Sequence, residues 1–319
     1  KLCMIGTGYV GLVSGTCFAD IGNEVVCVDK DDKKIKKLNQ GNSPIYEPGL
    51  DELIKKNFEA KRLSFTIDID KAISMSDIIF ICVGTPTKKG SIKVDLSFVY
   101  KCTKEILKYS KRKKIIVTKS TVPVGTGDEI EKIVKRKKKL FTVISNPEFL
   151  REGEAIRDFR YPDRIVIGSN EKKAFKIMKK LYLPLTNKGS KFFTTSRRGA
   201  ELIKYASNAF LATKITFINE LANLCEKSGV NIEDVSLGMG SDNRIGGRFL
   251  RAGPAYGGSC FPKDTKGLVS AADRYKINLS VVKSVIKSNK ERVNLLTQRI
   301  HTILGPNIKN KKISFLGVT

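Results

Sequence analysis

Short apolar runs alternate with segments of helical spacing along the first part of the chain. The runs have the length of buried strands and occur at residues 2–6, 24–29 (EVVCVD), 76–86 (SDIIFICVGTP), 113–126 (KKIIVTKSTVPVGT) and 141–149 (FTVISNPEF). Between them, helical spacing occurs at residues 11–21, 33–41 and 50–60. Strands that are apolar on both faces and alternate with helices predict an α/β domain with a doubly wound parallel sheet.

Small and polar residues fill the loops that follow four of these strands. The loops are residues 6–11, 83–87, 120–121 and 146–153, and a further segment, SPIYEPGL (43–50), is typical of a turn. Because the carboxyl ends of parallel strands lie at one edge of a sheet, we expect the four loops to meet along one crevice. Such a crevice is where open α/β sheets bind their ligands.

The pattern changes at about residue 197. Residues 197–229 contain no proline, and their apolar positions recur at three and four, which predicts one helix of about 30 residues. Its apolar residues fall on more than one face, which favours a spine between domains and a dimer interface. At the end, KKISFLGVT (311–319) is typical of a first strand entering a loop.

Three parts are therefore expected in a chain of 319 residues. They are an α/β domain over 1–196, a central all-α, long-helix dimerisation region over 197–300, and the start of a second C-terminal α/β domain over 301–319. Ending on a first strand indicates a truncated chain.

Charge and hydropathy exclude some classes of function. The net charge is +27, but lysine is spread over the whole length, and the runs at 111–114 (KRKK) and 135–139 (KRKKK) fall where solvation is expected. We therefore expect no nucleic-acid partner, and the charge suits attraction of an anionic substrate. No window of 18 uninterrupted apolar residues occurs, and the N-terminus opens directly into an apolar strand, so no membrane span or secretory signal is expected.

Cysteine and histidine usage predicts no metal site. The seven cysteines form no C-x-x-C pair, and His301 is the one histidine, which has the surroundings of an ordinary surface or core residue. Cysteines inside apolar runs are typical of reduced core thiols, which favours a cytoplasmic location.

The first loop carries a dinucleotide motif. GTGYVG (6–11) fits G-x-G-x-x-G between an apolar strand and a helix, and the second strand ends in Asp29. Gly6 permits the tight turn, Gly8 lets a pyrophosphate approach, and Gly11 lets the helix pack on the sheet. Asp29 would bond a ribose hydroxyl and repel a 2′-phosphate, which predicts a Rossmann-like fold that binds NAD, although Lys34 weakens the preference over NADP.

Cys260 lies in YGGSCFPKD (256–264), among turn residues that suit a packed core thiol poorly. Lys263 and Lys204 would favour its thiolate, and Asp264 places a carboxylate nearby. The sequence therefore favours a nucleophile.

Other candidates allow two interpretations each. Lys204 and Asn208 share a helix face and would bind an oxyanion, or they belong to a solvated stripe. Glu148 and Glu152 would each activate water or hold a sugar hydroxyl. Arg244, followed by FLRAGPAYGG (249–258), would hold a phosphate or sugar.

Several longer stretches resemble the UDP-glucose/GDP-mannose dehydrogenase family. They are MIGTGYVGLVSG, VGTPT, KSTVPVGT, SNPEFLREG, ELIKYASNAFLATKITFINE, DNRIGGRFLRAGPAYGGSCFPKD and ISFLGVT. RAGPAYGGSCFPKD is more similar to the UDP-glucose branch than to the GDP-mannose or UDP-N-acetylmannosamine branches. The family's second α/β domain would follow Thr319.

The resemblance implies a two-step oxidation of UDP-glucose to UDP-glucuronate with two NAD⁺, as used in polysaccharide biosynthesis. Cys260 would carry a thiohemiacetal and then a thioester, with Lys204 and Asn208 at the oxyanions and Asp264 at the base. Glu148 and Thr121 would position the water.

By the same resemblance, further residues would bind the ligands. Those that would contact NAD are Gly6, Gly8, Tyr9, Val10, Gly11, Asp29, Lys34, Val83, Gly84, Thr85, Pro86, Thr87, Ser120, Thr121, Val122, Glu152 and Lys263. Those that would contact the sugar nucleotide are Glu148, Phe149, Leu150, Arg151, Glu152, Lys204, Asn208, Arg244, Phe249, Leu250, Arg251, Ala252, Gly253 and Gly257. Arg244 would reach the site of a neighbouring subunit in a homodimer. The alternatives are another nucleotide-sugar dehydrogenase, acting on GDP-mannose or a UDP-N-acetyl-hexosamine, and an NAD-binding fragment without turnover.

Overall fold

The computed structural model describes residues 1–88, 90–135, 140–314 and 316. The chain divides into two compact units, Lys1–Tyr205 and Ala206–Thr319. The strands, all in the first unit, are β1 (Leu2–Ile5), β2 (Val25–Val28), β3 (Leu63–Thr66), β4 (Ile78–Ile81), β5 (Lys114–Thr118), β6 (Phe141–Ser145), β7 (Arg164–Gly168) and β8 (Lys191–Thr195). The helices that lie wholly in this unit are α1 (Tyr9–Asp20), α2 (Asp32–Asn39), α3 (Leu50–Glu59), α4 (Ile69–Met75), α5 (Ser97–Tyr109), α6 (Thr126–Val134), α7 (Ala155–Arg160), α8 (Lys172–Leu181) and α9 (Leu183–Thr186).

One eight-stranded sheet forms the centre of the first unit, in the order β3-β2-β1-β4-β5-β6-β7-β8. The six strands from β3 to β6 pair in parallel, with Ile5 level with Val28 on one side and with Ile81 on the other. β7 pairs antiparallel with β6 through Ser145 and Gly168, and β8 is parallel to β7. The predicted parallel sheet is confirmed for β3 to β6, and its order is that of a dinucleotide-binding fold.

Helices cover both faces of the sheet, which explains the continuous apolar strands. In β1, Leu2 and Met4 enter one core and Cys3 and Ile5 the other. At the centre of the first core lies Phe18 of α1, whose ring centroid is 4.9 Å from that of Phe159 in an edge-on contact.

The second unit is helical in its described residues. α10 (Arg197–Ser228) begins in the first unit and ends in the second, and its 32 residues confirm the predicted long helix. The helices that follow are α11 (Ile232–Gly240), α12 (Phe261–Asp273) and α13 (Ser280–Leu304). None of the described helices is both long enough and apolar enough to cross a membrane.

Two sequence expectations need correction. Lys114, placed in a solvated run, is buried, and its Nζ donates to the carbonyls of Ile73 (2.8 Å), Ser74 (3.0 Å) and Ser76 at the end of α4. A lysine at a helix C-terminus satisfies the last carbonyls, which compensates its burial. In the other basic run, residues 136–139 lie outside the described residues.

The second correction concerns the strand predicted at 311–319. The described residues of this stretch, 311–314 and 316, form no strand and are exposed, and residues 315 and 317–319 lie outside the description. A strand is held by its ladder of hydrogen bonds to a neighbour, and no such ladder joins these described residues.

Candidate active site

The turn between β1 and α1 requires glycine at two positions. Gly6 has φ of +103°, and a Cβ there would lie 2.8 Å from the carbonyl oxygen of Cys82. A Cβ on Gly11 would lie 1.9 Å from the carbonyl oxygen of Gly6. A side chain at either position would overlap backbone that is itself fixed by the sheet.

The third glycine leaves room for a ligand. Gly8 is the N-cap of α1, and a Cβ there would meet nothing within 4 Å. Within the part of the chain that the structure describes, no side chain caps this helix end. Backbone N–H groups at an uncapped helix N-terminus favour an anion, so the residues present fit the pyrophosphate of a dinucleotide.

Asp29 lies at the end of β2, beside the glycine turn. Its Oδ2 accepts hydrogen bonds from the backbone N–H (2.9 Å) and the hydroxyl (2.8 Å) of Thr7. Burial raises the pKa of this carboxyl, but the bonds from Thr7 and Asp31 and the charge of Lys34 outweigh it and leave the pKa below its ordinary value. The side chain is partly exposed, so an ionised carboxylate faces the place where a ribose would lie.

Hydrogen bonds join the loops that follow β4 and β5. The Thr85 hydroxyl donates to the Thr121 carbonyl at 2.9 Å, and the Ser120 hydroxyl donates to the Val83 carbonyl at 2.7 Å. Both loops follow parallel strands, so they lie at the same edge of the sheet as the glycine turn. The remaining cofactor candidates of this edge that are exposed or half-buried are Tyr9, Val10, Lys34, Gly84, Pro86 and Thr87, whereas Val122 is buried.

A buried ion pair lies where β6 ends. Lys204 of α10 and Glu148 are both nearly inaccessible to solvent, and Lys204 Nζ lies 3.2 Å from Glu148 Oε1. The other carboxylate oxygen accepts from Leu150 N–H at 2.6 Å, and the Lys204 ammonium lies 5.2 Å from the centroid of the Phe149 ring. The two charges are paired with each other and Glu148 is also hydrogen-bonded, which compensates their burial.

Sequence reasoning assigned no role to Glu201, a buried carboxylate one turn before Lys204 on the same helix. It accepts from Gly125 N–H (2.7 Å) and Gly127 N–H (2.8 Å), at the start of α6, and from the Ser145 hydroxyl (3.0 Å). It lines the same small recess as Thr121 and Lys204. Burial raises the pKa of Glu201 to about 7, against the opposing effect of its three donors.

Lys119, near this recess, is a residue that the sequence did not single out. Its ammonium is buried, 3.4 Å from the Tyr182 hydroxyl and 3.5 Å from Asn146 Oδ1. Burial lowers the pKa of Lys119 to about 8, and the charge of Lys204 acts in the same direction. The sequence signal available for Lys119 was its position in the apolar run at 113–126, directly after the predicted strand and before Ser120.

A second cluster lies in the second unit. Asp264, in the first turn of α12, is buried, and its carboxylate accepts from Asn208 Nδ2 at 2.6 Å and from Lys263 Nζ at 2.7 Å. Asn208 itself is buried on α10. Since both Lys204 and Asn208 are buried, the solvated-stripe interpretation is wrong.

Cys260 is the N-cap residue of α12 and is exposed. Its Sγ lies 3.6 Å from the Ser259 hydroxyl oxygen. The N-terminus of a helix favours negative charge, which suits the oxyanion of an adduct on this sulfur. The other six cysteines are buried, and all seven lie in the described residues as free thiols.

Three residues that the sequence did not single out hold the loop before Cys260. Asn219 Oδ1 accepts from Gly253 N–H at 2.8 Å, and Arg292 Nε donates to the Gly253 carbonyl at 3.2 Å. Asn289 bonds both the N–H and the carbonyl of Tyr256, at 2.8 and 3.0 Å. Polar residues at helical spacing in SNKER (288–292) were the available signal.

The remaining candidates are placed as follows. Arg244 is exposed and paired with Asp242 at 2.6 Å, and His301 is exposed on α13. The sequence left the roles of Glu148 and Glu152 undecided, and in the structure Glu148 is buried and Glu152 is exposed. In the loop of the second unit, Leu250 is buried, Phe249, Ala252 and Gly253 are half-buried, and Arg251 and Gly257 are exposed. Arg151 is exposed and bonds Asp158.

No group of three or more His, Cys, Asp or Glu side chains in residues 1–88, 90–135, 140–314 and 316 is arranged to hold a metal ion.

Comparison with known proteins matches both units. Residues 1–186 match the NAD binding domain of the UDP-glucose/GDP-mannose dehydrogenase family, and residues 198–291 match its central domain. A UDP-glucose 6-dehydrogenase of Rhizobium meliloti (strain 1021) is 51% identical over 323 residues, which cover 100% of this chain and 74% of that protein. One of Bacillus subtilis (strain 168) is 49% identical, covering 100% of this chain and 68% of that protein.

A solved structure shows the same fold. The UDP-glucose dehydrogenase of Pyrobaculum islandicum superposes with a TM-score of 0.91 at 36% sequence identity, over 95% of this chain and 71% of that chain. The glycine turn, the sheet order and the family matches agree, and the chain belongs to the UDP-glucose/GDP-mannose dehydrogenase family of NAD-dependent oxidoreductases.

Proposed function

We propose that this chain oxidises the C6 alcohol of UDP-glucose to the carboxylate and releases UDP-glucuronate. The observation that carries the proposal is the exposed Cys260 at the start of α12, in the same unit as the buried Asn208–Asp264 pair. UDP-glucose is favoured among nucleotide sugars because the Rhizobium meliloti relative, 51% identical, is a UDP-glucose 6-dehydrogenase.

Each oxidation removes a proton and a hydride from the sugar, and NAD⁺, when bound, supplies the hydride acceptor. The Asp264 carboxylate takes the proton of the C6 hydroxyl, and the Lys204 ammonium and Asn208 amide stabilise the oxyanion. The Cys260 thiolate then adds to the aldehyde carbon, which gives a thiohemiacetal. Loss of a second hydride from that carbon leaves a thioester on Cys260.

Hydrolysis of the thioester completes the reaction. Glu148 and Thr121 position the attacking water, and the water oxygen bonds to C6 as the Cys260 sulfur leaves. The Glu148–Lys204 contact at 3.2 Å supports this role, because the ion pair holds the Glu148 carboxylate in one position. The products are UDP-glucuronate and the free thiol.

The ligand-binding roles follow the two clusters. The glycine turn, Asp29 and the loops after β4 and β5 would hold NAD, and the uncapped start of α1 supports the position of the pyrophosphate. The 249–257 loop, with the 148–152 loop, would hold the sugar nucleotide. The hydrogen bonds from Asn219, Asn289 and Arg292 support a loop that is ordered before the substrate arrives.

A homodimer through α10 is part of the proposal. Phe210, Phe217 and Leu224 recur every seven residues and are 65%, 47% and 63% exposed, which forms an apolar stripe along this helix. Such a stripe suits a second copy of the same helix. Seven free thiols support a cytoplasmic location, where the uronate would serve polysaccharide biosynthesis.

A substrate panel read by NADH absorbance tests the proposal. Two NADH for each UDP-glucose are expected, with little reaction of GDP-mannose or UDP-N-acetyl-hexosamines. Cys260→Ser should bind NAD but lose release of the uronate, whereas Cys225→Ser, which changes a buried thiol, should keep turnover. One NADH for each sugar, or undiminished steady turnover by Cys260→Ser, would contradict the mechanism. NAD binding without turnover by the unaltered chain would identify a binding fragment.

A further inference from the structure

Glu47 lies in the turn SPIYEPGL and is 6% exposed. Its Oε2 accepts from the Tyr9 hydroxyl and from Gly153 N–H at 2.8 Å. Its Oε1 accepts from Ala155 N–H at 2.7 Å and from Ile156 N–H at 3.4 Å. A buried carboxylate is therefore surrounded by four donors from two distant parts of the chain.

The donors belong to the two elements that border the proposed NAD and sugar sites. Tyr9 is the first residue of α1, directly after the glycine turn. Gly153 ends the loop that begins at Glu148, and Ala155 opens α7. The Tyr9 hydroxyl also accepts from Gly153 N–H at 3.0 Å and lies 3.3 Å from the Arg151 carbonyl, so the two elements touch through this group.

We propose that Glu47 is a positioning residue that fixes the 148–153 loop against the first turn of α1. The inference rests on the proposed function, in which that turn binds NAD and that loop binds the sugar. Glu47 touches neither ligand in this arrangement and acts through Tyr9 and Gly153.

Two observations and one general principle support a fixed carboxylate. The Glu47 carbonyl accepts from Leu50 N–H at 3.1 Å, and Leu50 is fully buried, so the turn itself is anchored in the core. Burial, and then the bond to Glu47, raise the pKa of Tyr9, so its hydroxyl keeps the proton that it donates. Hydrogen bonds to a charged group are about twice as strong as neutral ones.

Glu47→Gln is the informative change. An amide has one acceptor oxygen, so either Gly153 N–H or Ala155 N–H must face an NH₂ group. We expect the Kd and KM for NAD and the KM for UDP-glucose to rise about tenfold, with kcat within about threefold, because a loop that must be ordered on binding weakens affinity. Loss of folded protein alone would lower apparent kcat and leave both KM values unchanged.

Trypsin cleavage after the exposed Arg151 gives a readout without turnover. Cleavage in the native state follows the population of the open loop, so Glu47→Gln should speed it about tenfold. Glu171→Gln is the matched control. Glu47 accepts from the N-terminus of α7, and Glu171 is the N-cap residue of α8, but Glu171 accepts its hydrogen bond from the Thr142 hydroxyl. The control should leave both the cleavage rate and the KM values unchanged.

Tyr9→Phe is the second variant, because it removes one hydroxyl and leaves the backbone bonds of Glu47 in place. It should raise the KM for NAD and the cleavage rate about threefold. In the double variant, the KM for NAD and the cleavage rate should exceed those of Glu47→Gln by less than threefold. If Glu47→Gln does not fold, Tyr9→Phe decides alone. Wild-type values in the folded variants, or equal effects of Glu47→Gln and Glu171→Gln, would overturn the proposal. If Glu47→Gln is cleaved faster but the unaltered chain forms no NADH, the proposed function is refuted and the positioning role of Glu47 is retained.

Discussion

Replacing Glu201 with glutamine should change how stability depends on pH. Glu201 is buried at the start of α6, and burial raises its pKa from the ordinary 4.5 to about 7. Between these values the folded protein holds a proton that the unfolded chain has released. The contribution of this group is therefore fully present below pH 4.5 and is lost as the pH rises through 7.

The size of the effect follows from the two pKa values. At about 1.4 kcal/mol per pH unit, the difference between 4.5 and about 7 corresponds to about 3 kcal/mol. Glutamine carries no charge, so the free energy of unfolding of wild type minus that of Glu201→Gln should fall by this amount between pH 4.5 and pH 8. Groups common to both proteins cancel in the subtraction.

Urea unfolding followed by far-ultraviolet circular dichroism, at half-unit pH steps, measures the difference. Glu129→Gln is the control, since Glu129 is exposed on α6 and paired with Lys132 at 2.8 Å. The free energy of unfolding of Glu129→Gln should differ from that of wild type by a constant amount, within about 0.5 kcal/mol across the pH range. A flat difference for Glu201→Gln would refute the reasoning. A difference that rises with pH would show that the donors at Gly125, Gly127 and Ser145 outweigh burial.

Three further predictions concern packing, a buried charge and assembly. Gly11→Ala places a Cβ on the Gly6 carbonyl and should lower the free energy of unfolding by about 3 kcal/mol. Gly8→Ala meets no neighbouring atom, so it should keep the stability and weaken NAD binding. Thermal unfolding measures the first effect and NAD titration the second. Lys114→Ala removes the donor to three carbonyls, of which that of Ile73 keeps its bond from Ser76 N–H, and should cost about 3 kcal/mol in urea unfolding; a neutral result would contradict a stabilising role of these buried contacts. Phe217→Glu should convert a dimer to a 35.4 kDa monomer in light scattering, and an unchanged mass would place the interface elsewhere.

Sequence pattern predicted β1, β2, β4, β5 and β6 and missed β3, β7 and β8, although β7 is as buried as the predicted strands. β1, β4, β5 and β6 are continuous apolar runs, because helices cover the sheet on both sides. β3 alternates buried and exposed residues, and β8 is largely exposed, so neither has that signature. The reversal of direction at β7 depends on pairing with β6, which local spacing does not encode.

Motifs predicted the residues of the glycine turn, whose chemistry is local, and gave no role to Glu47 and Glu201, whose partners are distant. Gly6, Gly11 and Asp29 follow from the backbone of one turn and the end of one strand. Glu47 and Glu201 bond backbone N–H groups more than 70 residues away, so their importance depends on tertiary packing. A carboxylate that serves a distant backbone has the same local sequence context as a solvated one.

Cys260 is exposed and the other six cysteines are buried, so the reactivity of the thiols can be used to monitor both the active site and the core. A small maleimide or disulfide reagent should modify one thiol in the native protein, so the modified fraction counts competent sites in any preparation. The six other thiols become reactive only when the surrounding core opens. Mass spectrometry of adducts over time would then record site occupancy and core opening in the same sample, as the first mass increment and the later ones.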